Sequence, residues 1–323
     1  MLLSIVAGRE ASAENWADRL GFPAGRKVVL LHANELGMCF EANAAAAQLA
    51  DAGLVRSFSA MAPCPWFADA AQWRRSREDA DVGLELTLSS EFENYRWKPV
   101  SPSDLTASLC DDQGYFWRTP IQTMVNGSAA EAEQELIAQI DRAKKLGLNP
   151  THLTTHLGAM VTRPDLIEAY LRIARRHWVP AVVVELTPEQ VARFEQQGYP
   201  LPDDIIELLS DYPLPKVDDL QAVPAAETYD QKKEGFLTLL DELAPGITQI
   251  AFRPAIESDA LPRITGDWQQ RNWDAQLLAD PDVAAAIRDQ EIVVTDWKEL
   301  MRRFEGAADE EVNASDSSVQ AKN

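Results

Sequence analysis

The sequence predicts an α/β protein, a (β/α) barrel of seven or eight parallel strands. Three observations predict it. Short apolar runs alternate with segments of helical spacing from about residue 27 to residue 304, the pattern of repeated strand–helix units. The runs are continuously apolar, as in Lys27-Val28-Val29-Leu30-Leu31, which suits parallel strands covered on both faces. The unusual polar residues Asn34, Glu35, Glu85, His156 and Arg253 all fall at the carboxyl ends of different runs. In a closed barrel those ends form one face, and barrel enzymes carry their sites there. A doubly wound dinucleotide-binding sheet is disfavoured, because no GxGxxG follows the first strand.

In chain order, a helix is expected around Glu14 to Leu20, closed by Gly21 and Pro23, so residues 1–26 read as a helical extension. The barrel domain spans 27–305. Its first strand, Lys27 to His32, runs into Ala33-Asn34-Glu35-Leu36-Gly37, and an alanine-rich helix follows to Gly53. Val55 to Ala60 is the second strand, Phe67 to Arg77 has helical spacing, and Asp81 to Leu88 is the third strand. A long connection from Ser89 to about Ala129 holds Tyr95-Arg96-Trp97 and Tyr115-Phe116-Trp117. Connections of that length inside a compact domain usually serve as lids or binding loops. A helix from Glu131 to Leu146 stops at Gly147. The fourth strand is Pro150 to His156, followed by a helix from Pro164 to His177, a strand from Ala181 to Glu185 and a helix from Pro188 to Gln197. Prolines interrupt 201–229, where a short strand is expected near Leu208. The alternation ends with helix Asp230 to Leu243, strand Ile247 to Phe252, helix Asp282 to Asp289, strand Glu291 to Val294 and helix Trp297 to Phe304. Residues 306–323 lose periodicity and are expected to be a disordered tail.

Charge and cysteine usage narrow the partners. The net charge is -21 and the sequence pI about 4.6, a field that repels phosphate backbones and anionic membrane surfaces. Nucleic acid and membrane are therefore not expected as partners. Cys39, Cys64 and Cys110 are odd in number and widely spaced, which argues against a disulfide framework or a thiolate zinc site. The apolar start Met1 to Ala7 meets Arg9 and Glu10 too soon for a secretory core. No run approaches the length of a membrane span. A cytoplasmic location is expected.

The chemistry concentrates in Pro150-Thr151-His152-Leu153-Thr154-Thr155-His156, which holds two of the four histidines. Four residues apart, they share a face on a helix or on a strand. Glu85 is an isolated carboxylate in the apolar run Gly83-Leu84-Glu85-Leu86. That is costly unless the group is paired, hydrogen-bonded or metal-bound. Glu35, Glu85 and His156 together are an acceptable donor set for Zn²⁺, Mn²⁺ or Mg²⁺. His152 could support that set or carry a proton. The bland alternatives are a helix amino-terminal role for Glu35 and a salt bridge between Glu85 and Arg253. Arg253 could instead hold an anionic substrate group.

Four blocks carry a resemblance to a known family. His32-Ala33-Asn34-Glu35-Leu36-Gly37, Gly83-Leu84-Glu85-Leu86-Thr87-Leu88, Pro150 to His156, and Phe252-Arg253-Pro254-Ala255 resemble those of the YdjC-like carbohydrate deacetylases. Pro63-Cys64-Pro65-Trp66-Phe67 and Tyr95-Arg96-Trp97-Lys98-Pro99-Val100 look like one branch of that family. The likeness runs from about Asn15 to Phe304. It implies a β/α barrel, a divalent metal, removal of acetyl groups from N-acetylated sugars, and a homodimer as a common state. It implies metal ligation at Glu35, Glu85 and His156, catalytic positions at Asn34, His152 and Arg253, and sugar contacts from Trp66, Tyr95, Arg96 and Trp97. The chain departs from the family pattern in that same rim. Asn34 and Glu35 stand for two aspartates, of which the first acts as base. Glu85 stands for a ligand histidine, Thr154 for an aspartate, Arg253 for the histidine before Pro-Ala, and Phe40 for another histidine. An amide takes up no proton, and a guanidinium gives none near neutrality. Base and acid are then reassigned, with His152 or Glu35 as candidates. The alternative expectation is a catalytically inactive member that binds a carbohydrate in the same cleft.

Overall fold

The computed structural model describes residues 14–196 and 201–306. Residues 1–13 of the expected extension and 307–323 of the expected tail lie outside the described residues. Seven strands form one sheet, and every pairing within it is parallel. They are β1 (Lys27–Leu36), β2 (Ser57–Ala60), β3 (Asp81–Leu86), β4 (Leu153–Thr155), β5 (Asp219–Ala222), β6 (Gly246–Phe252) and β7 (Val293–Val294). The spatial order is β4-β3-β2-β1-β6-β5, with β7 alongside the start of β1. The segment 181–185 bridges the remaining gap. Val182 N–H donates to Leu153 O and Glu185 N–H to Val217 O, both at 2.8 Å, and Asp218 N–H reaches Ile247 O. The sheet thus curls into the expected barrel.

The strands are buried on both faces, as their unbroken apolar runs require. Val28, Val29, Leu30, Phe58, Val82, Leu84, Ile247 and Ile250 have essentially no exposed surface. Helices wrap the outside, among them Phe40–Ala52, Ala129–Lys145, Pro164–His177 and Tyr229–Glu242. Gly53 ends the first of these in the left-handed conformation, φ +81°, where no other residue type sits as easily. The amino end of the barrel is closed by the short helix Trp16–Arg19. The Trp16 backbone N–H donates to Asp218 Oδ1 at 2.9 Å and its indole N–H to Glu185 Oε2 at 2.7 Å. Around it Leu20, Phe22, Val28, Leu30, Ile247, Trp297 and Leu300 form a second apolar cluster.

Two departures from the sequence expectation have physical causes. No strand occurs near Leu208. Asp203–Ser210 is a helix there, with Asp203 and Asp204 at its amino-terminal turn and Ile205 and Leu209 buried four residues apart. Acidic residues favour that end of a helix, and the spacing matches its period. The strand of this region comes later, as β5. The helix Trp268–Ala279 is absent from the sequence expectation, because its buried face is half polar: Arg271, Asn272 and Asp274 point inward before Leu277 and Leu278 do. An apolar stripe is what a periodicity reading detects, and here it is confined to the last turns, at Leu277 and Leu278.

Candidate active site at the barrel rim

Asn34 and Glu35 are adjacent on β1, and consecutive strand residues normally face opposite sides. Here the β1–β2 register shifts between Ala33 and Leu36, and Glu35 takes the left-handed conformation, φ +67°. A bulge of this kind re-aims a side chain, so both residues line one pocket. Gly37 follows at φ +83°, and a Cβ there would sit 2.9 Å from Phe67 Cα. The strained turn is therefore held against the next strand–helix connection.

The pocket has a volume of about 380 Å³ and opens at the carboxyl ends of the strands. Glu35, Glu85 and His156 meet in it. Glu85 Oε2 accepts the Glu35 backbone N–H at 2.7 Å and Glu85 Oε1 lies 2.9 Å from His156 Nδ1. The other ring nitrogen of His156, Nε2, is 3.0 Å from Glu91 Oε2. Burial alone would lower the His156 pKa, but Glu91 and Glu85 on its two nitrogens push it up to about 10. Trp97 stands edge-on to the same ring at 5.9 Å.

Glu35 faces guanidinium groups on its other side. Arg271, fully buried, donates from Nη1 to Glu35 Oε2 and from Nε to Asp267 Oδ1 at 2.7 Å. Arg253 Nη1 is 3.9 Å from Glu35 Oε1 and 3.8 Å from Asp267 Oδ2. Burial raises the Glu35 pKa, but Arg271, His156 and Arg253 outweigh it and hold the carboxyl below its ordinary value. Glu85 is not tied to Arg253; its partners are His156, the Glu35 backbone and the Ser59 hydroxyl. Lys232 lies deeper, 2.8 Å from Asp274 Oδ1.

The two histidines of the fourth-strand block part company. His156 lines the pocket, whereas His152 is buried beneath it, stacked on Trp297 with its Nε2 2.8 Å from His32 Nε2. Of the residues expected to contact substrate, none is among those lining this pocket. Trp66 is partly exposed beside Phe40, and Tyr95 donates its hydroxyl to Met38 O at 2.8 Å. Arg96 pairs with Asp111 and Phe116 O, and Trp97 is buried with its indole N–H on Ser89 O. Sequence reasoning misses Arg271, Asp267, Glu91, Lys232 and Asp274. The signals that remain in the chain are weak ones: a polar run at 267–274 and an acidic residue just past the third strand.

Glu35, Glu85 and His156 make a group that could hold a metal ion. Each brings one ligand atom within 4.8 Å of the others'. Glu35 Oε1 is buried without a hydrogen-bond partner among the described residues, an acceptor that a cation would satisfy. Glu91 on His156 Nε2 is the outer carboxylate that commonly orients a ligand imidazole. The donor set fits a divalent ion on these counts, provided Nδ1 gives up its hydrogen.

Fold and rim together define a parallel β/α barrel with one polar site at the carboxyl ends of its strands, the class in which barrel enzymes work. The chain belongs to the YdjC-like family, whose sequence model matches residues 28–289. It is 35% identical over 273 residues to a carbohydrate deacetylase of Thermus thermophilus, a match spanning 82% of this chain and 91% of that one. A carbohydrate deacetylase of Thermoanaerobacter pseudethanolicus is 26% identical, over 85% of this chain and 99% of its own length. A crystal structure from Enterococcus faecalis V583, provisionally described as a cellobiose-phosphate cleavage protein, superposes with a TM-score of 0.72 at 23% identity. It covers 85% of this chain and 99% of its own, and supports the barrel fold. No helix of the described residues is long and apolar enough to cross a membrane.

Proposed function

We propose that the chain is a hydrolase of the carbohydrate deacetylase type, taking an N-acetylated sugar into the rim pocket and holding a divalent ion at Glu35, Glu85 and His156. One observation carries this: two buried carboxylates and an imidazole from three separate segments converge within ligating reach of one another. The deacetylase names of the relatives support the substrate class. A bound ion supplies Lewis acidity toward an acyl carbonyl. The chain's own residues do the rest. Arg271 holds Glu35 ionised and oriented, Glu91 holds the His156 ring, and Arg253 stands at the mouth within reach of a ligand oxygen. Metal analysis after loading with Zn²⁺, Mn²⁺ or Mg²⁺, together with acetate release from chitooligosaccharides, tests the proposal. No bound ion and no acetate would remove it.

A second reading, sugar binding without catalysis, is favoured by the amide at Asn34 and the guanidinium at Arg253, neither of which exchanges a proton near neutrality. It predicts binding that a chelator leaves unchanged. It also predicts that Asn34→Asp combined with Glu85→His creates acetate release where the unaltered chain has none.

A further inference from the structure

The long connection after β3 is fastened to the helix Ala129–Lys145 at two points. Gln139 of that helix is fully buried and pairs with both backbone groups of Thr87. Its Oε1 accepts the Thr87 N–H at 3.0 Å and its Nε2 donates to Thr87 O at 2.7 Å. Backbone donors and acceptors are fixed, so this amide has a single orientation. Gln139 Nε2 also donates to Glu135 Oε1 at 2.9 Å. Glu135, one turn earlier and equally buried, accepts the Val100 N–H at 2.9 Å on Oε1 and the Ser101 N–H at 2.8 Å on Oε2. A buried carboxylate is costly unless its oxygens are satisfied, and backbone of the connection satisfies this one. A further turn back, Glu131 Oε2 accepts the Ser108 N–H and hydroxyl at 2.8 and 2.7 Å. Glu131, Glu135 and Gln139 are four residues apart, so they form one polar stripe along the helix. Between the Thr87 and Val100 anchors lie the two residues that touch His156. Glu91 Oε2 is 3.0 Å from its Nε2, and Trp97 stands edge-on to its ring. The turn carrying them is closed on itself. Ser90 Oγ accepts the Trp97 N–H at 3.0 Å, Ser89 O accepts the Trp97 indole N–H at 2.8 Å, and Phe92 packs on Trp97 at 5.6 Å.

We propose that Glu135 and Gln139 are positioning residues for the rim site, acting through Glu91 and Trp97. They pin residues 87–101 as a fixed wall that sets the His156 ring, in place of the lid that a connection of this length suggests. Use of the wall to orient a metal ligand rests on the metal reading above; the fixing of the wall does not.

Amide hydrogen exchange of the unaltered chain reads the wall directly. The Thr87, Val100 and Ser101 hydrogens should exchange as slowly as that of Leu84 in β3. Fast exchange of Val100 and Ser101 through local opening would make the connection a lid and overturn the proposal. Ring-labelled ¹⁵N-histidine reads the coupling to His156. Glu135→Gln leaves one of the two backbone N–H groups facing an NH₂ group, and Gln139→Met removes the Thr87 anchor. Either should shift the His156 ring resonances, whereas Ala143→Gly, which weakens the same helix beyond the anchors, should leave them in place. Unmoved resonances in both anchor variants, or an equal shift in Ala143→Gly, would reduce Glu135 and Gln139 to ordinary supports of the fold. Zn²⁺ affinity, measured by competition with a chelating dye, should fall about tenfold in Glu135→Gln, the lower end of what losing an outer partner costs a ligand. Equal affinity in the variant would overturn the orienting role. No Zn²⁺ binding by the unaltered chain would remove the metal reading, while exchange and the ring resonances still decide the wall.

Discussion

At Glu35 a left-handed backbone, a buried ion pair and a candidate ligand position coincide. Removing its charge leaves Arg271, itself 1% exposed, with Asp267 as its remaining partner. Breaking a buried pair typically costs about 3–5 kcal/mol, so Glu35→Gln should lose about 3 kcal/mol in urea unfolding, the lower end because Asp267 stays. A loss under about 1 kcal/mol would mean that Asp267 alone neutralises Arg271. Acid should act through the residues beneath. His32 has a folded pKa of about 3 against the ordinary 6.5 of a free side chain, with His152, Asn34 and Asp81 around it. Between those values the unfolded chain binds a proton that the folded chain refuses, so stability falls as pH falls, by up to about 1.4 kcal/mol per pH unit. Asp81 adds to this in the same direction: burial raises its pKa, but His152 and its hydrogen-bond donors win and lower it. His32→Gln should flatten the stability profile between about pH 6 and about pH 4; an unchanged slope would assign the acid sensitivity elsewhere. Glu35, Glu85 and His156 are legible in the sequence because an ionisable group in an apolar strand demands a partner. Arg271 is not, because it reaches the pocket from a helix that is 236 residues away in sequence.

At the scale of elements, the site depends on β3 and β4 keeping their register, which pairs Glu85 with Thr154 and Leu86 with Thr155. Gly83 permits it. A Cβ at that position would lie 2.5 Å from His152 O and 2.6 Å from the His152 ring, closer than backbone tolerates. Gly83→Ala should therefore spread the two strands, with an overpacking cost of about 3 kcal/mol and loss of the His32–His152 contact. Thermal unfolding and the histidine ring resonances would register both effects. A fully stable Gly83→Ala variant with unshifted resonances would show that the strands have slack. The strands themselves are the easiest elements to read, since parallel strands covered on both faces need continuous apolar runs. The helix Trp268–Ala279 is hidden because it spends the first half of its inward face on Arg271, Asn272 and Asp274, leaving only Leu277 and Leu278 to mark the core side. In a barrel a helix over the rim faces the site as well as the core, so the residues that would reveal its periodicity are the ones given to the site.

For the molecule as a whole, closure and chemistry are placed at opposite ends of the barrel. Trp16 closes the amino end through Asp218 and Glu185, the same end at which β5 and β6 begin, while the pocket occupies the other. Trp16→Ala should cost about 3–5 kcal/mol, the usual scale for a buried aromatic, with ligand affinity unchanged in the variant that still folds. The pocket end has the opposite dependence. Five carboxylates, Glu35, Glu85, Glu91, Asp267 and Asp274, stand against Arg253, Arg271 and Lys232, so two negative charges remain if His156 is neutral. A divalent ion balances them, and a protonated His156 does so only halfway. An ion that binds the folded chain alone should raise its stability by about 2.7 kcal/mol at roughly a hundred times the dissociation constant. It should also release a proton, because His156 Nδ1 cannot ligate while it donates to Glu85. Titration of Zn²⁺ or Mn²⁺ into weakly buffered protein, followed by urea unfolding, reads both quantities together. Glu85→Ala should abolish the added stability and the proton release. Stabilisation that persists in Glu85→Ala would locate the ion elsewhere, and its absence from the unaltered chain would leave the internal cations as the only charges this rim accepts.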